Sequence, residues 1–180
     1  SASTVIPTAG GTIHSIRLVT SSASGLDLAA LPQLTLPERS ALVLSKRRGY
    51  VYASYSLQQY LAMDDQGNGW GLFGQVSVSD GNPNPVGSSV LAGLGGQATF
   101  WGRPKDNWGA GAFRYNLSRD LKDGLQAFGI SLRDEYGAEV FYEFALTDHV
   151  RIGGDLQAIR PGRADADTAV LGSLRGRLIF

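Results

Sequence analysis

Cysteine is absent from this 180-residue chain, which excludes a disulfide framework and thiol chemistry. Neither positive nor negative charge is in excess. The 16 basic and 16 acidic side chains give a formal net charge of zero, so we predict no nucleic-acid partner. Long apolar runs are also missing, although 43% of the residues are hydrophobic. No run approaches the roughly 20 residues of a transmembrane helix, so any membrane span must consist of strands.

Groups that could carry out catalysis are equally sparse. The two histidines lie far apart in the sequence, without acidic or cysteine partners at metal-ligand spacing. Glu139 and Glu143 share one face of a predicted strand, but four residues of strand separate them by about 13 Å. This distance exceeds the spacing of a glycosidase pair. We therefore predict that the chain is not an enzyme and has no catalytic residue, metal site or cofactor.

What the sequence does contain is polarity that alternates with a period of two. In the stretch 168–180, Val170 and Leu174 occupy one face, whereas Arg175 and Arg177 occupy the other. A strand that separates lipid from water shows this pattern. The same alternation predicts eight strands, at residues 12–20, 50–61, 69–80, 90–101, 108–117, 136–147, 150–159 and 168–180.

The lengths of the strands and of their connections predict a membrane barrel. At about 3.3 Å per residue and a tilt near 40°, the strands span about 25–30 Å, the height of an outer-membrane apolar band. Short turns alternate with longer connections, as in barrels with short periplasmic turns and long extracellular loops. The fold class predicted is all-β, a transmembrane antiparallel β-barrel of the outer-membrane type with about eight long strands. The short turns are 62–68, 102–106 and 148–149, and the longer connections are 21–49, 81–89, 118–135 and 161–167.

The division of the chain follows from these segments. We expect residues 1–180 to form a single β-barrel domain or one half of a barrel. Residues 1–11 are predicted to be a loose polar lead-in, because they contain breaking proline and glycine residues. Segments 21–49 and 118–135 are predicted to be long extracellular or lumenal loops.

Alternation also sorts aromatic and polar side chains by face. Trp70 and Phe180 are the predicted members of an interfacial girdle, whereas alternation turns Trp101 inward. The predicted turns place Glu143, Asp155 and Ser173 at one level. The candidate pore-lining residues of the inward face are Arg17, Tyr52, Gln58, Gln75, Gln97, Arg114, Glu139, Glu143, Arg151, Asp155, Gln157, Arg175 and Arg177.

Two stretches, 69–115 and 134–180, carry the motifs of a known family. They contain in order GWGLF, DGNPNP, GRP, E-x-F-Y, D-L-Q and D-T-A, and LSKRRGYVYASYSLQQYL precedes them. Together they resemble the C-terminal half of carbohydrate-selective porins of the OprB type, from about residue 42 to the end. The resemblance implies a sixteen-stranded sugar porin of the bacterial outer membrane. Because this chain provides about half of those strands, a companion N-terminal barrel half is expected.

The resemblance implies passive, carbohydrate-selective diffusion of sugars through a multi-pass barrel, surrounded by outer-membrane lipid and either monomeric or homo-oligomeric. Arginine has a rigid fork of donors that suits vicinal sugar hydroxyls, and the ring of Tyr52 could stack on a pyranose. Three alternatives stay open. The charges could merely stiffen a hydrated wall, or eight strands could close into a small structural barrel with a packed ionic interior and no conductance. The chain could also be a soluble β-sandwich or lectin-like module.

Overall fold

The structure, a computed structural model, describes residues 2–8, 12–21, 50–81 and 84–179, with the side chains of the last two ranges. Within these residues, a 3-10 turn (Thr99–Trp101) joins the fifth and sixth strands, and the helix α1 (Arg119–Gln126) follows the sixth. The strands are β1 (Ala2–Thr8), β2 (Thr12–Ser21), β3 (Tyr50–Met63), β4 (Gly69–Ser79), β5 (Val86–Ala98), β6 (Arg103–Leu117), β7 (Glu135–Ala145), β8 (Val150–Arg160) and β9 (Ala169–Leu178).

The strands form one antiparallel sheet in which each strand pairs with its neighbours in the sequence, from β1 to β9. This order confirms the predicted all-β, antiparallel fold class. β1 and β9 are the two edges of the sheet and do not pair with each other. The small closed barrel is therefore wrong for the described strands. No helix in the described part of the chain is long and apolar enough to cross a membrane.

All eight predicted strands are present, and one further strand precedes them. Residues 2–8, which were expected to belong to the lead-in 1–11, form β1 and pair with β2. The proline that argued against a strand, Pro7, lies in β1 at the edge of this sheet, and edge strands are where proline occurs within sheets. The prediction of a lead-in was wrong because it gave Pro7 the weight it has in a central strand.

The connections alternate between short and long along the sheet. Turns at residues 64–68, 99–102 and 146–149 lie at one end, and the segments 118–134 and 161–168 lie at the other. The predicted loop 118–135 contains α1, whereas 22–49 lies outside the described residues. β6 begins five residues earlier than predicted, because the chain reverses in the 3-10 turn and at Gly102, whose φ is 67°.

The apolar face of the sheet is the exposed one. Val140, Leu156 and Leu174 are 51%, 54% and 88% exposed, and Ala98 is the only buried hydrophobic residue among the described side chains. By contrast, the carboxylates of Glu143 and Asp155 on the opposite face are 14% exposed. A sandwich or lectin-like module would bury its apolar face, so this distribution contradicts the soluble interpretation and fits a sheet with lipid on one side.

Candidate functional site

The pairing of the strands defines two faces, because directly opposed residues in a sheet point to the same side. The polar face carries eleven of the thirteen candidate pore-lining residues. Arg17 pairs with Ser54, another polar-face position, but its side chain lies outside the described residues. The eleven are Tyr52, Gln58, Gln75, Gln97, Glu139, Glu143, Arg151, Asp155, Gln157, Arg175 and Arg177.

Arg114 is the exception, since it lies on the apolar face. It pairs with Val90 on β5 and with Tyr136 on β7. The sequence prediction failed here because 108–117 has aromatic residues of both parities, so polarity alone selected the arginine as inward. Its side chain lies at the end of the strand, where Asp134 accepts a hydrogen bond from Nη2 at 3.0 Å. An interfacial position with a carboxylate partner allows an arginine on this face.

Glu143 is the centre of the first charged cluster on the polar face. Its Oε1 accepts hydrogen bonds from Arg151 Nη1 at 3.2 Å, from Arg177 Nη2 at 2.9 Å and from Asn107 Nδ2 at 3.2 Å. Arg151 also donates to the backbone carbonyl of Lys105 at 2.9 Å. One carboxylate on β7 thus binds side chains from three strands and holds two guanidinium groups together.

Asp155 is the centre of the second cluster. Its Oδ1 accepts from Ser173 Oγ at 2.5 Å and from Arg175 Nη2 at 2.7 Å. Glu143 pairs with Gly153 on β8, so it lies two residues away from the level of Asp155. The register predicted for β7 against β8 was therefore wrong by two residues, because β7 ends at Ala145 rather than at the predicted position 147. The predicted level of Asp155 with Ser173 is confirmed.

We call the set of Glu139, Glu143, Arg151, Asp155, Gln157, Arg175 and Arg177 the charged ladder. Besides the two clusters, the ladder contains a hydrogen bond from Gln157 Nε2 to Glu139 Oε2 at 3.4 Å. Arg175 and Arg177 each bind one carboxylate through Nη2, yet their side chains stay 56% and 55% exposed. Each guanidinium has five N–H donors, so the ladder presents oriented donors to whatever faces it.

The polar face of β3, β4 and β5 carries no charged side chain in the described residues, and we call it the neutral region. Ser77 and Ser89 share a hydrogen bond of 2.6 Å between their hydroxyl oxygens. Gln97 Oε1 accepts from the backbone N–H of Gly69 at 2.9 Å, whereas Gln58 and Gln75 are exposed. The neutral region therefore offers amides and hydroxyls as donors and acceptors without a fixed charge.

Three phenylalanines lie on the polar face of β4, β6 and β7 and extend from the neutral region to the charged ladder. Sequence reasoning missed their position. Phe73, Phe113 and Phe141 each pair with a glycine on the neighbouring strand. The ring of Phe73 lies 2.5 Å, and that of Phe113 2.8 Å, from where a Cβ on the paired glycine would lie. Each ring therefore lies flat across the backbone of its neighbour. The signal was available: glycines at Gly93, Gly109 and Gly137 remove the side chain that a ring would otherwise meet.

These rings form what we call the phenylalanine patch. Together with Leu91 and Glu139 they line a depression of about 150 Å³ whose bottom is glycine backbone. The patch presents apolar ring faces on a face that is otherwise polar, with a carboxylate at its rim. This combination can contact a molecule that has both an apolar surface and hydroxyl groups.

Aromatic residues also form a belt on the apolar face at the short-turn end. Their ring centroids lie 4.4 to 6.0 Å apart from one residue to the next. Trp70 takes part as predicted, Phe180 lies outside the described residues, and Trp101 was wrongly predicted to point inward. The 3-10 turn interrupts the alternation, so Trp101 packs against Tyr142. The belt consists of Trp70, Phe100, Trp101, Trp108, Tyr142 and Phe144, which fits an interfacial girdle.

A buried carboxylate joins two strands at the short-turn end of the sheet. Asp106 is 1% exposed and accepts hydrogen bonds from Tyr142 Oη and from the backbone N–H of Ala145, both at 2.9 Å. Arg103, three residues earlier, forms an ion pair with the same carboxylate. Asp106 therefore connects the start of β6 to the end of β7.

The long-connection end is fastened by Arg133, whose guanidinium bonds to three backbone carbonyls. Nε donates to Pro161 at 3.1 Å, Nη1 to Ala164 at 3.2 Å and Nη2 to Ala166 at 2.5 Å. The segment before β7 is thereby attached to the connection between β8 and β9. An arginine suits this role because its planar fork can bind several carbonyls at once.

The next residue, Asp134, attaches the same segment to β6 and α1. It accepts hydrogen bonds from Lys122 Nζ at 2.7 Å, from Arg114 and from the backbone N–H of Leu117 at 3.3 Å. The hydrogen bond from Lys122, followed by the one from Arg114, lowers the pKa of Asp134 below its usual range. The helix α1 begins at Arg119 because the side chain of Ser118 caps it by accepting a hydrogen bond from the backbone N–H of Leu121.

Comparisons with known proteins agree with this architecture. The family described as carbohydrate-selective porin, OprB family, matches residues 19–180. Porin B of Pseudomonas aeruginosa is 30% identical over 132 residues, which cover 64% of this chain and 29% of Porin B. A high-pH structure of OprB from Pseudomonas putida matches with a TM-score of 0.80 at 21% identity, over 98% of this chain and 46% of that one.

The chain thus spans less than half the length of either relative, and the structural match concerns the fold alone. The family match covers most of the chain, and it includes every strand from β3 to β9. The chain belongs to the OprB family of carbohydrate-selective porins, whose members are β-barrels of the Gram-negative outer membrane.

Proposed function

We propose that this chain forms part of the wall of an outer-membrane pore through which sugars diffuse passively. The observation that carries the proposal is the position of the phenylalanine patch, which extends from the neutral region to the charged ladder on one face. A pyranose has apolar C–H faces and a rim of hydroxyl groups. Aromatic rings suit the faces, whereas amides, carboxylates and guanidinium groups suit the hydroxyls.

The proposed passage uses these groups in turn without holding the sugar tightly. A sugar ring slides over Phe73, Phe113 and Phe141 while its hydroxyls exchange hydrogen bonds with ladder residues such as Glu139 and Arg175. Selectivity then depends on pore width and on the number of matched hydrogen bonds. Binding stays weak because a solute must leave as readily as it enters.

The open sheet calls for a partner in this proposal. Each backbone group left unpaired in hydrocarbon costs several kcal/mol, so the free edges of β1 and β9 are incompatible with the lipid core. We propose that further strands, those of a companion N-terminal half, pair with both edges and close the pore. Homo-oligomers of closed barrels are a separate proposal, which the mass of the detergent-solubilised particle tests.

Single-channel recordings test the proposal. The chain is reconstituted into planar bilayers together with the companion half proposed above, and glucose or maltooligosaccharides are added on one side. We expect stable ion conductance that sugar reduces in a concentration-dependent way. Bilayers that show no conductance would overturn the pore, and conductance that sugars leave unchanged would overturn the sugar assignment.

A pair of variants addresses the patch itself. In F113A we expect the half-blocking sugar concentration to rise about fivefold, because a ring contact contributes about 1 kcal/mol. The matched control is F144A, which removes a phenylalanine from the apolar face and should leave the block unchanged. Equal effects of the two variants would contradict a role for the patch in sugar contact.

A further inference from the structure

Two arginines lie on the apolar face, where neutral side chains otherwise predominate. Arg114 on β6 pairs with Tyr136 on β7, and Tyr136 pairs in turn with Arg160 on β8. The three residues therefore form one row across adjacent strands, which we call the arginine row. With about 4.8 Å between strands, the backbones of the two arginines are about 10 Å apart. Both side chains are exposed.

Positive charge in this row exceeds the negative charge that faces it. Arg160 Nη1 donates to Tyr136 Oη at 2.8 Å, and the guanidinium carbon lies 5.7 Å from the centre of that ring. In the described part of the chain no ion pair joins Arg160 to a carboxylate. Arg114 shares Asp134 with Lys122. Arg114 and Lys122 thus share one carboxylate, and Arg160 has an aromatic and hydroxyl partner but no carboxylate partner, so the row attracts an anion.

The level of the row identifies the environment of that anion. Six residues of β6 separate Arg114 from Trp108 of the aromatic belt, a distance of about 20 Å along the strand. Arg114 lies three residues before the end of β6, Tyr136 is the second residue of β7 and Arg160 is the last residue of β8. The row therefore lies at the end of the sheet where the long connections emerge, opposite the aromatic belt. In an outer-membrane barrel this is the extracellular side. The arginines are therefore at the level of the lipid headgroups of the outer leaflet.

An apolar groove begins directly beneath the row. It has a volume of about 930 Å³. Ala112 and Ala138 occupy the next positions on the same face, one residue pair below Arg114 and Tyr136. Leu156 and Val170 are among the larger side chains at its edges. A groove of this kind, open to hydrocarbon, fits a lipid acyl chain by shape and polarity.

We propose that the arginine row and the groove together bind a phosphate-bearing lipid of the outer leaflet. The phosphate lies between Arg114 and Arg160, and one acyl chain lies over Ala112 and Ala138. Arginine binds phosphate oxygens through two parallel N–H groups, and such charge-assisted hydrogen bonds are stronger than neutral ones. The occupant is thus a lipid, because its anionic head and apolar chain match two adjoining surfaces.

Titration in detergent micelles, followed by native mass spectrometry, tests the proposal with a matched pair of lipids. Dioleoyl phosphatidic acid and dioleoylglycerol have the same chains and differ in the phosphate. We expect the protein to retain phosphatidic acid about tenfold more strongly. Equal retention would overturn the proposal. Inorganic phosphate should compete only weakly, and full displacement at equimolar concentration would mean that the chains contribute nothing, which also overturns it.

Variants locate the site. R160Q removes no ion pair within the described residues, so folding should be kept, and we expect about tenfold weaker retention of phosphatidic acid. R163Q is the matched control, since Arg163 pairs with Asp165 in the connection before β9 and should leave retention unchanged. A138L fills the groove and should also weaken retention. Wild-type retention by R160Q, or by A138L, would contradict the corresponding half of the site.

Discussion

The neutral region and the charged ladder occupy the same face of one sheet, yet they use opposite chemistry. Strands β3 to β5 present hydroxyls and amides, whereas β7 to β9 present carboxylates and guanidinium groups. Within the ladder three acidic and three basic side chains balance, so strong hydrogen-bonding groups create little net field. The comparison teaches that one face of a sheet can provide charged hydrogen-bond donors and acceptors while its net charge stays close to zero. Such a surface suits an uncharged solute.

The largest effect is expected where the two regions are fastened together. Asp106 holds the start of β6, at the border of the neutral region, to the end of β7 in the ladder half. D106N should lower the free energy of unfolding by about 2 kcal/mol or more, because a buried carboxylate loses charge-assisted hydrogen bonds. Urea unfolding in lipid vesicles measures this change.

The matched control for this prediction is D165N. Asp165 also pairs with an arginine but is largely exposed, so its substitution should not shift the unfolding midpoint measurably. If D106N and D165N shift the midpoint equally, the two halves are not held together by the buried carboxylate.

Much of this comparison could be predicted from the sequence, because the polarity of both halves alternates without interruption. All eleven polar-face candidates lie outside β6, in strands whose two faces differ in composition, and Val140, Leu156 and Leu174 mark the lipid side as expected. β6 was the exception. Its small residues and its aromatics of both parities concealed the position of Arg114 and of Phe113, and only the register with β5 and β7 resolves it.

Other differences depend on local geometry that alternation cannot describe. The turn at 99–101 shifts Trp101 to the aromatic belt, because a 3-10 turn does not continue the period of two. The partners of β7 residues on β8 were also predicted wrongly, because a shift of two residues keeps each side chain on the same face and changes its neighbours on the next strand. Glu143 therefore binds Arg177 rather than lying level with Asp155.

Removing one negative charge from the charged ladder should change the ion selectivity of the pore. E143Q leaves Arg151 and Arg177 without their carboxylate, so the wall becomes more positive and we expect a shift toward anion permeability. A unit charge changes the energy of an ion a few ångströms away in water by about 1 kcal/mol or less. The permeability ratio should therefore change about two- to fivefold, which reversal potentials across a KCl gradient measure.

Q75E makes the opposite change in the neutral region and is the matched experiment. It adds a carboxylate where no arginine is adjacent, so the reversal potential should move toward cation permeability. Shifts of the same sign in E143Q and Q75E would show that these residues do not face the ion path. Opposite shifts would place the neutral region and the ladder on the wall of one conduit.

The smallest effect concerns pH at the clamp formed by Asp134. The pKa of Asp134 is lowered in the folded protein, chiefly by the hydrogen bond from Lys122. A group with a lowered folded pKa stabilises the fold above its unfolded pKa of about 3.9, and this contribution is lost as the pH falls through the folded value. The clamp should therefore be intact at neutral pH and open only in strong acid, below about pH 4.

Hydrogen exchange at the backbone N–H of Leu117 reports the state of this clamp, because that group donates to Asp134. After correction for intrinsic exchange rates, its protection should be constant down to about pH 4 and fall by a few-fold in stronger acid, as expected for the loss of a single hydrogen bond to a charged group. D134N should show reduced protection at pH 5 and little further change at pH 3. If D134N keeps the pH dependence of the unmodified protein, a carboxylate other than Asp134 controls the protection of Leu117.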